Sequence, residues 1–225
     1  MPKIKVLLAD DHNIVRQGFR SLLSPQTDIE IVGEANDGRE AVQMAEKLRP
    51  DVIVMDIVMP LMNGLEATRQ ILKQRSKTRI LILSSYSDSE YVQRFIELGA
   101  TGYLVKHTAA NDLLKAIRDA HAGKSYFSPA IAKALHAYSM EAFVSGKPVK
   151  KRANDLTPRE SEVLQLVAEG QANKQIASEL GISIKTVEKH RQQVMNKLHI
   201  HDVAGLTRHA IAKGVIKSNV PTELN

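Results

Sequence analysis

Cysteine is absent from the 225 residues, which excludes a disulfide framework, thiolate catalysis and any cysteine-ligated zinc or iron–sulfur site. Long apolar runs are also missing. None approaches the ~20 residues of a membrane helix, and Met1 is not followed by the basic-then-apolar pattern of a signal peptide. These absences predict a cytoplasmic protein with no membrane partner. Aromatic residues make up only 4% of the chain, too few for the stacking surface common in RNA readers. What remains is ordinary for a globular protein, with 43% hydrophobic and 25% charged residues. A prior of roughly 150 residues per domain predicts one large domain or two smaller ones. Charge divides the chain unevenly. Residues 1–124 hold 17 basic and 16 acidic side chains, whereas residues 125–225 hold 14 and 9. A positive excess confined to one end points to a nucleic-acid or membrane-surface partner for that end.

The first half alternates strand and helix. Lys3–Ala9, Ile29–Glu34, Val52–Met55, Ile80–Leu83 and Tyr103–Val105 are short, β-branched apolar runs suited to parallel strands buried on both faces. Helical spacing appears in Ile14, Val15, Phe19, Leu22 and Leu23, and again in Ala41, Val42, Ala45 and Leu48. It recurs in Tyr91, Val92, Phe95 and Ile96 before Gly99, and in Leu113, Leu114, Ile117 and Ala120 before Gly123. Five strands so interleaved predict an α/β fold, an open five-stranded parallel sheet with helices on both faces. The strand signal ends near Ser128. Pro129–Val144 reads as a connecting helix and Ser145–Asn154, with Gly, Pro and a basic cluster, as a linker.

Chemistry gathers where the strands end. Asp10 and Asp11 follow the first strand and Asp56 the third, while Ser84 ends the fourth and Lys106 the fifth. In an open α/β sheet those ends line the ligand crevice. Any one of these acids alone would read as a helix N-cap; together at strand ends they form a cluster whose repulsion calls for a cation. Hard oxygen ligands without cysteine favour Mg²⁺. His12 abuts the cluster, but a loop histidine is more often solvated than ligating and is left out of the site.

The segments LLADD (7–11), VIVMDIVMP (52–60), LILSS (81–85) and GYLVK (102–106) resemble the CheY-like receiver domain of two-component response regulators. The resemblance implies that Asp56 accepts a phosphoryl group from a sensor histidine kinase. It further implies Asp11, Asp56 and the Val58 backbone carbonyl as Mg²⁺ ligands, with Asp10 acting mainly through water. A carboxylate is a competent nucleophile toward an activated phosphoryl group. Mg²⁺ and Lys106 would neutralise the charge that develops. Ser84 would donate its hydroxyl to a phosphoryl oxygen, and Tyr103 would rotate when Ser84 moves. Catalysis would extend only to the chain's own phosphorylation and dephosphorylation.

The last segment reads as helix throughout. Thr157-Pro158-Arg159-Glu160 is a capping box with proline at the first helical position, and that helix turns Val163, Leu164 and Val167 inward before Gly170. A short helix from about Asn173 to Leu180 precedes a turn at Gly181. Ser183 caps a longer helix, and Asp202 caps the last. Ala177, Gly181 and Val187 stand four and then six residues apart, which lets two helices approach across a left-handed turn. LTPRESEVLQLVAEG (156–170) with NKQIASELGISIKTVEKHRQQVMNKL (173–198) resembles the LuxR-type DNA-binding domain. Both halves together resemble the NarL/FixJ class. The expected organisation is a receiver over 1–124, a connecting helix and linker over 125–154, and an all-α four-helix helix-turn-helix domain over 155–218.

On the recognition helix Val187, Val194 and Leu198 face inward, leaving Lys185, Glu188, Lys189 and Gln192 toward a major groove. Lys189 is the leading base reader, Glu188 suits cytosine and Gln192 suits adenine. Thr186, His190, Arg191 and Lys174 touch phosphates or pack. The resemblance implies double-stranded promoter DNA as partner, a homodimer when phosphorylated, and an unphosphorylated receiver that covers the recognition helix. Val203 and Leu206 in the last helix are either dimer contacts or domain core. His199 and His201 lack a third ligand and read as a surface turn. Two rivals stand beside this reading. One is a DNA-binding regulator independent of phosphorylation. The other is an aspartate-nucleophile phosphatase, which would need an aspartate where the chain has Val58.

Overall fold

The computed structural model describes residues 2–74, 77–84, 89–106, 110–129, 131–133 and 156–217. The chain divides into two compact units, Met1–Lys150 and Lys151–Asn225. In the first, strands β1 (Ile4–Ala9), β2 (Ile29–Ala35), β3 (Val52–Asp56), β4 (Arg79–Ser84), β5 (Gly102–Val105) and β6 (Tyr126–Phe127) form one sheet in the order β2-β1-β3-β4-β5-β6. Every pairing is parallel. The helices are α1 (Asn13–Leu23), α2 (Gly38–Leu48), α3 (Gly64–Gln74), α4 (Ser89–Glu97) and α5 (Ala110–His121).

The apolar runs alternate between two cores because neighbouring strand residues point to opposite faces. Leu7, Ile53, Met55, Ile80, Ile82 and Tyr103 pack on one side with Ala41, Ala45, Ala67, Ile71 and Phe95 from α2, α3 and α4. Val6, Leu8, Val52, Val54, Leu81 and Leu83 pack on the other with Leu23 of α1 and Leu113, Ile117 and Ala120 of α5. Gly99 and Gly123 end their helices at φ +93° and +79°, a conformation that favours glycine.

The structure adds two elements to the expected fold. Helix α3 lies between β3 and β4, where no helix was predicted; its buried face is built from Gly64, Glu66, Ala67, Thr68 and Ile71, only one of them a large apolar residue. The sheet has six strands rather than five. Strand β6 is two residues long, too short to show any periodicity, and pairs Gly102 with Tyr126 and Tyr103 with Phe127. It approaches so closely that a Cβ at Gly102 would fall 2.4 Å from the Tyr126 carbonyl oxygen. Ile131 is fully buried in the first core, so receiver packing continues past residue 124. Of the expected connecting helix, Pro129 and Ile131–Lys133 are helical. Its remainder and the Ser145–Asn154 linker lie outside the described residues.

The second unit contains α6 (Pro158–Ala168), α7 (Asn173–Leu180), α8 (Ile184–Leu198) and α9 (Val203–Ala212). Its core comprises Val163, Leu164, Leu166, Val167, Ile176, Ala177, Val187, Val194, Leu206 and Ala210. The predicted capping box forms, with Thr157 Oγ1 accepting from Glu160 N–H and Glu160 accepting from Thr157 N–H. Ser183 and Asp202 accept from Thr186 and Gly205 N–H at 3.1 and 2.7 Å, and Gly181 turns the chain at φ +62°. His199 ends α8 in the left-handed region at φ +55°, so it does serve as a turn. Leu198 is only half-buried because it lies on the last turn of α8, beside that exit.

Candidate functional site

Strand order puts β1 between β2 and β3, so the connections leaving β1 and β3 open a crevice at their carboxyl ends. Asp10 leaves β1 there, and its backbone N–H donates to the Ala35 carbonyl at 3.1 Å. Asp56 is the last residue of β3, and its Oδ1 accepts the Ile57 N–H at 2.8 Å. Lys106 follows β5, anchored by its N–H to the Ser84 carbonyl at 2.7 Å. Its Nζ lies 2.7 Å from Asp56 Oδ2 and 2.7 Å from Asp10 Oδ2.

These groups are withdrawn from water. The side chains of Asp10 and Asp56 are each 5% exposed, and that of Lys106 13%. Burial, the largest influence, pulls the Lys106 pKa down, but attraction to Asp56 and hydrogen bonds to Asp10 and Asp56 outweigh it and hold the ammonium above its ordinary value. Lys106 therefore already acts as the cation between two carboxylates. Asp11 lies at the mouth, with its side chain 23% exposed. One donor atom from each of Asp10, Asp11, His12 and Asp56 lies within 4.8 Å of every other. Three carboxylates at that spacing fit a hard divalent cation.

Ser84 is fully buried at the end of β4. Tyr103 is 1% exposed and packs edge-on against Phe95, with centroids 6.1 Å apart and planes at 69°. Val58 is buried in the loop after Asp56. That loop is pinned from both flanks. Gly64 N–H donates to the Ile57 carbonyl at 2.7 Å, Gly38 N–H donates to the Met62 carbonyl at 3.0 Å, and Leu61 sits at φ +62°.

In the second unit, α8 buries Val187 and Val194 and exposes Lys185, Glu188, Lys189 and Gln192. Lys174 is exposed near the start of α7, and Thr186 and His190 are half-buried. Arg191 is tied into the domain, donating to Asn173 Oδ1 at 2.5 Å. Gln192 donates to Asn196 Oδ1 at 2.9 Å. Leu206 is 1% exposed and Val203 45%. Leu206 is thus core, because the inward face of α9 packs on α6, and only Val203 offers itself to a partner.

Both halves match known families along their length. Residues 6–118 match the response regulator receiver domain, and residues 154–210 the luxR family of bacterial regulatory proteins. The chain is a response regulator with a LuxR-type DNA-binding domain. The transcriptional regulatory protein LiaR of Bacillus subtilis is 42% identical to the regulator, with 88% of this chain and 92% of LiaR covered. The response regulator protein VraR of Staphylococcus aureus is 39% identical, covering 95% of this chain and 99% of VraR. Among solved structures, the RcsB response regulator of Salmonella typhimurium superposes with a TM-score of 0.58 at 28% identity, covering 94% and 100%. RcsB has also been solved as two dimers bound to two parallel DNAs.

Two further residues of the regulator stand at the acidic crevice, of which the sequence pointed to the neighbourhood of His12 alone. His12 is exposed as expected of a loop histidine, and its Nδ1 lies 3.0 Å from Asp10 Oδ1 and 3.1 Å from Asp11 Oδ1. Arg16 is 8% exposed, donates from Nη1 to the Asp10 carbonyl at 2.6 Å and from Nε to Glu34 at 3.3 Å, while Arg20 binds the same carboxylate. A cation on the sheet-facing side of α1 was the available signal for Arg16.

Proposed function

We propose that the regulator is a transcription factor switched by phosphorylation of Asp56 by a sensor histidine kinase. The observation that carries this reading is a nearly buried Asp56 carboxylate 2.7 Å from Lys106 and grouped with two further carboxylates. A carboxylate oxygen of Asp56 attacks the phosphorus of a phosphohistidine. The nitrogen–phosphorus bond breaks, its electron pair returning to the imidazole, and an acyl phosphate forms. The regulator's own catalysis is confined to this transfer and the later hydrolysis of the acyl phosphate.

Asp11, Asp56 and the Val58 carbonyl would hold Mg²⁺, with Asp10 acting through water; when bound, the ion neutralises charge on the transferring phosphoryl group. Lys106 donates to a phosphoryl oxygen and Ser84 donates its hydroxyl to another. Tyr103 follows Ser84 and carries the change out of the site. The output is homodimerisation on double-stranded promoter DNA through residues 155–218, with Lys185, Glu188, Lys189 and Gln192 toward the bases and Lys174, Thr186 and His190 toward the backbone. Dimers of RcsB on DNA support that mode. We place the regulator in the cytoplasm; among the described residues no helix is long and apolar enough to cross a membrane.

The deciding experiment is labelling with acetyl phosphate. Wild type incorporates label in Mg²⁺ and loses it with a chelator, and Asp56→Asn incorporates none. Undiminished label on the variant would remove Asp56 as acceptor.

A further inference from the structure

We propose that His12 contributes an imidazole nitrogen to the acidic cluster, making it a mixed nitrogen–oxygen site that prefers later first-row divalent metals such as Co²⁺ and Ni²⁺ over Mg²⁺. The inference deepens the proposed function, resting on its reading of Asp11 and Asp56 as ligands of one divalent ion.

Geometry comes first. His12 Nδ1 lies 3.0 Å from Asp10 Oδ1 and 3.1 Å from Asp11 Oδ1. Ligands at about 2.1 Å from a common ion, on neighbouring octahedral vertices, stand about 3.0 Å apart. In the metal-free protein the same separations serve hydrogen bonds to the ring N–H. With the proton on the other ring nitrogen, Nδ1 becomes a lone-pair donor at ligand spacing from Asp11 Oδ1.

Position comes second. His12 is the N-cap of α1, with extended backbone at φ −90° and ψ +109° and no side-chain capping bond. Its backbone N–H donates to Asp10 Oδ1 at 2.8 Å, which fixes its Cα beside the cluster. The side chain is 49% exposed, so an arriving ion meets the imidazole before the buried carboxylates.

Chemistry supplies the direction. Mg²⁺ prefers oxygen ligands and keeps several waters, so an imidazole adds little to its binding. Affinity at a nitrogen-containing site rises along the first-row series, and imidazole suits the later members. His12 therefore separates metals that three carboxylates alone would distinguish less.

The test compares wild type, His12→Ala, His12→Gln and Asp11→Asn, all full length and with folding checked by circular dichroism. Co²⁺ and Mg²⁺ affinities are measured by titration calorimetry, and the Co²⁺ visible absorption spectrum is recorded. His12→Ala should weaken Co²⁺ at least tenfold, weaken Mg²⁺ less than twofold and alter the Co²⁺ spectrum. His12→Gln, with an oxygen in place of nitrogen, should behave likewise and covers the case of a poorly folding alanine variant. Asp11→Asn should weaken both metals. If His12 variants change both affinities equally, or neither, and the Co²⁺ spectrum is unaltered, His12 is not a ligand while the carboxylate site stands. If wild type binds neither metal, the metal reading of the proposed function fails together with this one.

Discussion

Removing the Lys106 ammonium would leave the Asp10 and Asp56 carboxylates, each 5% exposed, without the cation 2.7 Å from both. Uncompensated buried charge is costly. Discounted for the open mouth of the site, Lys106→Met should lower stability by about 1–3 kcal/mol at neutral pH. Added Mg²⁺ should restore part of that loss, since a ligand that binds only the folded state stabilises it; denaturant titration with and without Mg²⁺ measures both effects. On α8, Lys189 is exposed beside Glu188. Lys189→Ala should weaken specific DNA binding by about 1–3 kcal/mol and random DNA much less. Equal loss on both, in a competition assay, would make Lys189 a phosphate contact. Asp10, Asp11, Asp56, Ser84 and Lys106 were legible in the sequence because each ends or follows an apolar run, and topology brings such ends together. Arg16 was not, and His12 was legible only as a neighbour of the cluster, because their contacts depend on where a side chain turns beyond a loop. Leu206 and Val203 are both apolar and three positions apart; only packing separates the core residue from the exposed one.

Gly64 begins α3, and a Cβ there would fall 2.0 Å from the Asp56 carbonyl oxygen. Backbone cannot yield as a flexible side chain can, so Gly64→Ala must shift the end of β3. We expect about 1–3 kcal/mol of destabilisation, as in an overpacked core, together with slowed labelling of Asp56 by acetyl phosphate. Wild-type labelling in a variant with lowered thermal stability would mean that the shift stops short of the carboxylate. In the second unit, Glu160 closes the capping box of α6 and accepts from Lys197 Nζ at 2.7 Å. Burial raises its pKa, but Lys197 and the Thr157 bonds outweigh this and hold it below the ordinary carboxylate value. Its ionised form thus adds stability that is complete above the unfolded pKa and is lost as pH falls through the lower folded one. Glu160→Gln keeps a capping side chain without the charge. Melting of the wild type should fall away more steeply than that of the variant as pH drops through the carboxylate range. Parallel curves would leave Glu160 a capping role alone. Caps and long apolar strands were readable at this scale because each carries a local signal. Helix α3 buries small and polar residues, and β6 is two residues long, so neither had enough periodicity to be found.

For the whole molecule, the uneven charge of the two halves matched their chemistry, with the basic excess in the DNA-binding half. A lone helix-turn-helix makes too few contacts for tight binding at physiological salt, whereas a two-fold dimer reads half-sites about 10 base pairs apart. Phosphodonor should therefore raise both the sedimenting mass and the affinity for a palindromic site. Inverting an equilibrium from 1:99 to 99:1 takes roughly 5.5 kcal/mol of preferential interaction, which an acyl phosphate with contacts to Ser84 and Lys106, plus a dimer interface, is asked to supply. Unchanged mass and affinity would leave a constitutive DNA-binding module. Sheet order bears on how the chain is made as well as how it works. From β3 onward each strand adds to the outer edge in the order of synthesis, and the last addition is β6, followed by Ile131. Translation at about 5–20 residues per second leaves the growing chain, for a period on the order of seconds after Val105 emerges, with the edge at Gly102 and Tyr103 unpaired. A nascent receiver stalled in that interval would offer those backbone groups to another chain, and a fragment cut at residue 124 would do so permanently.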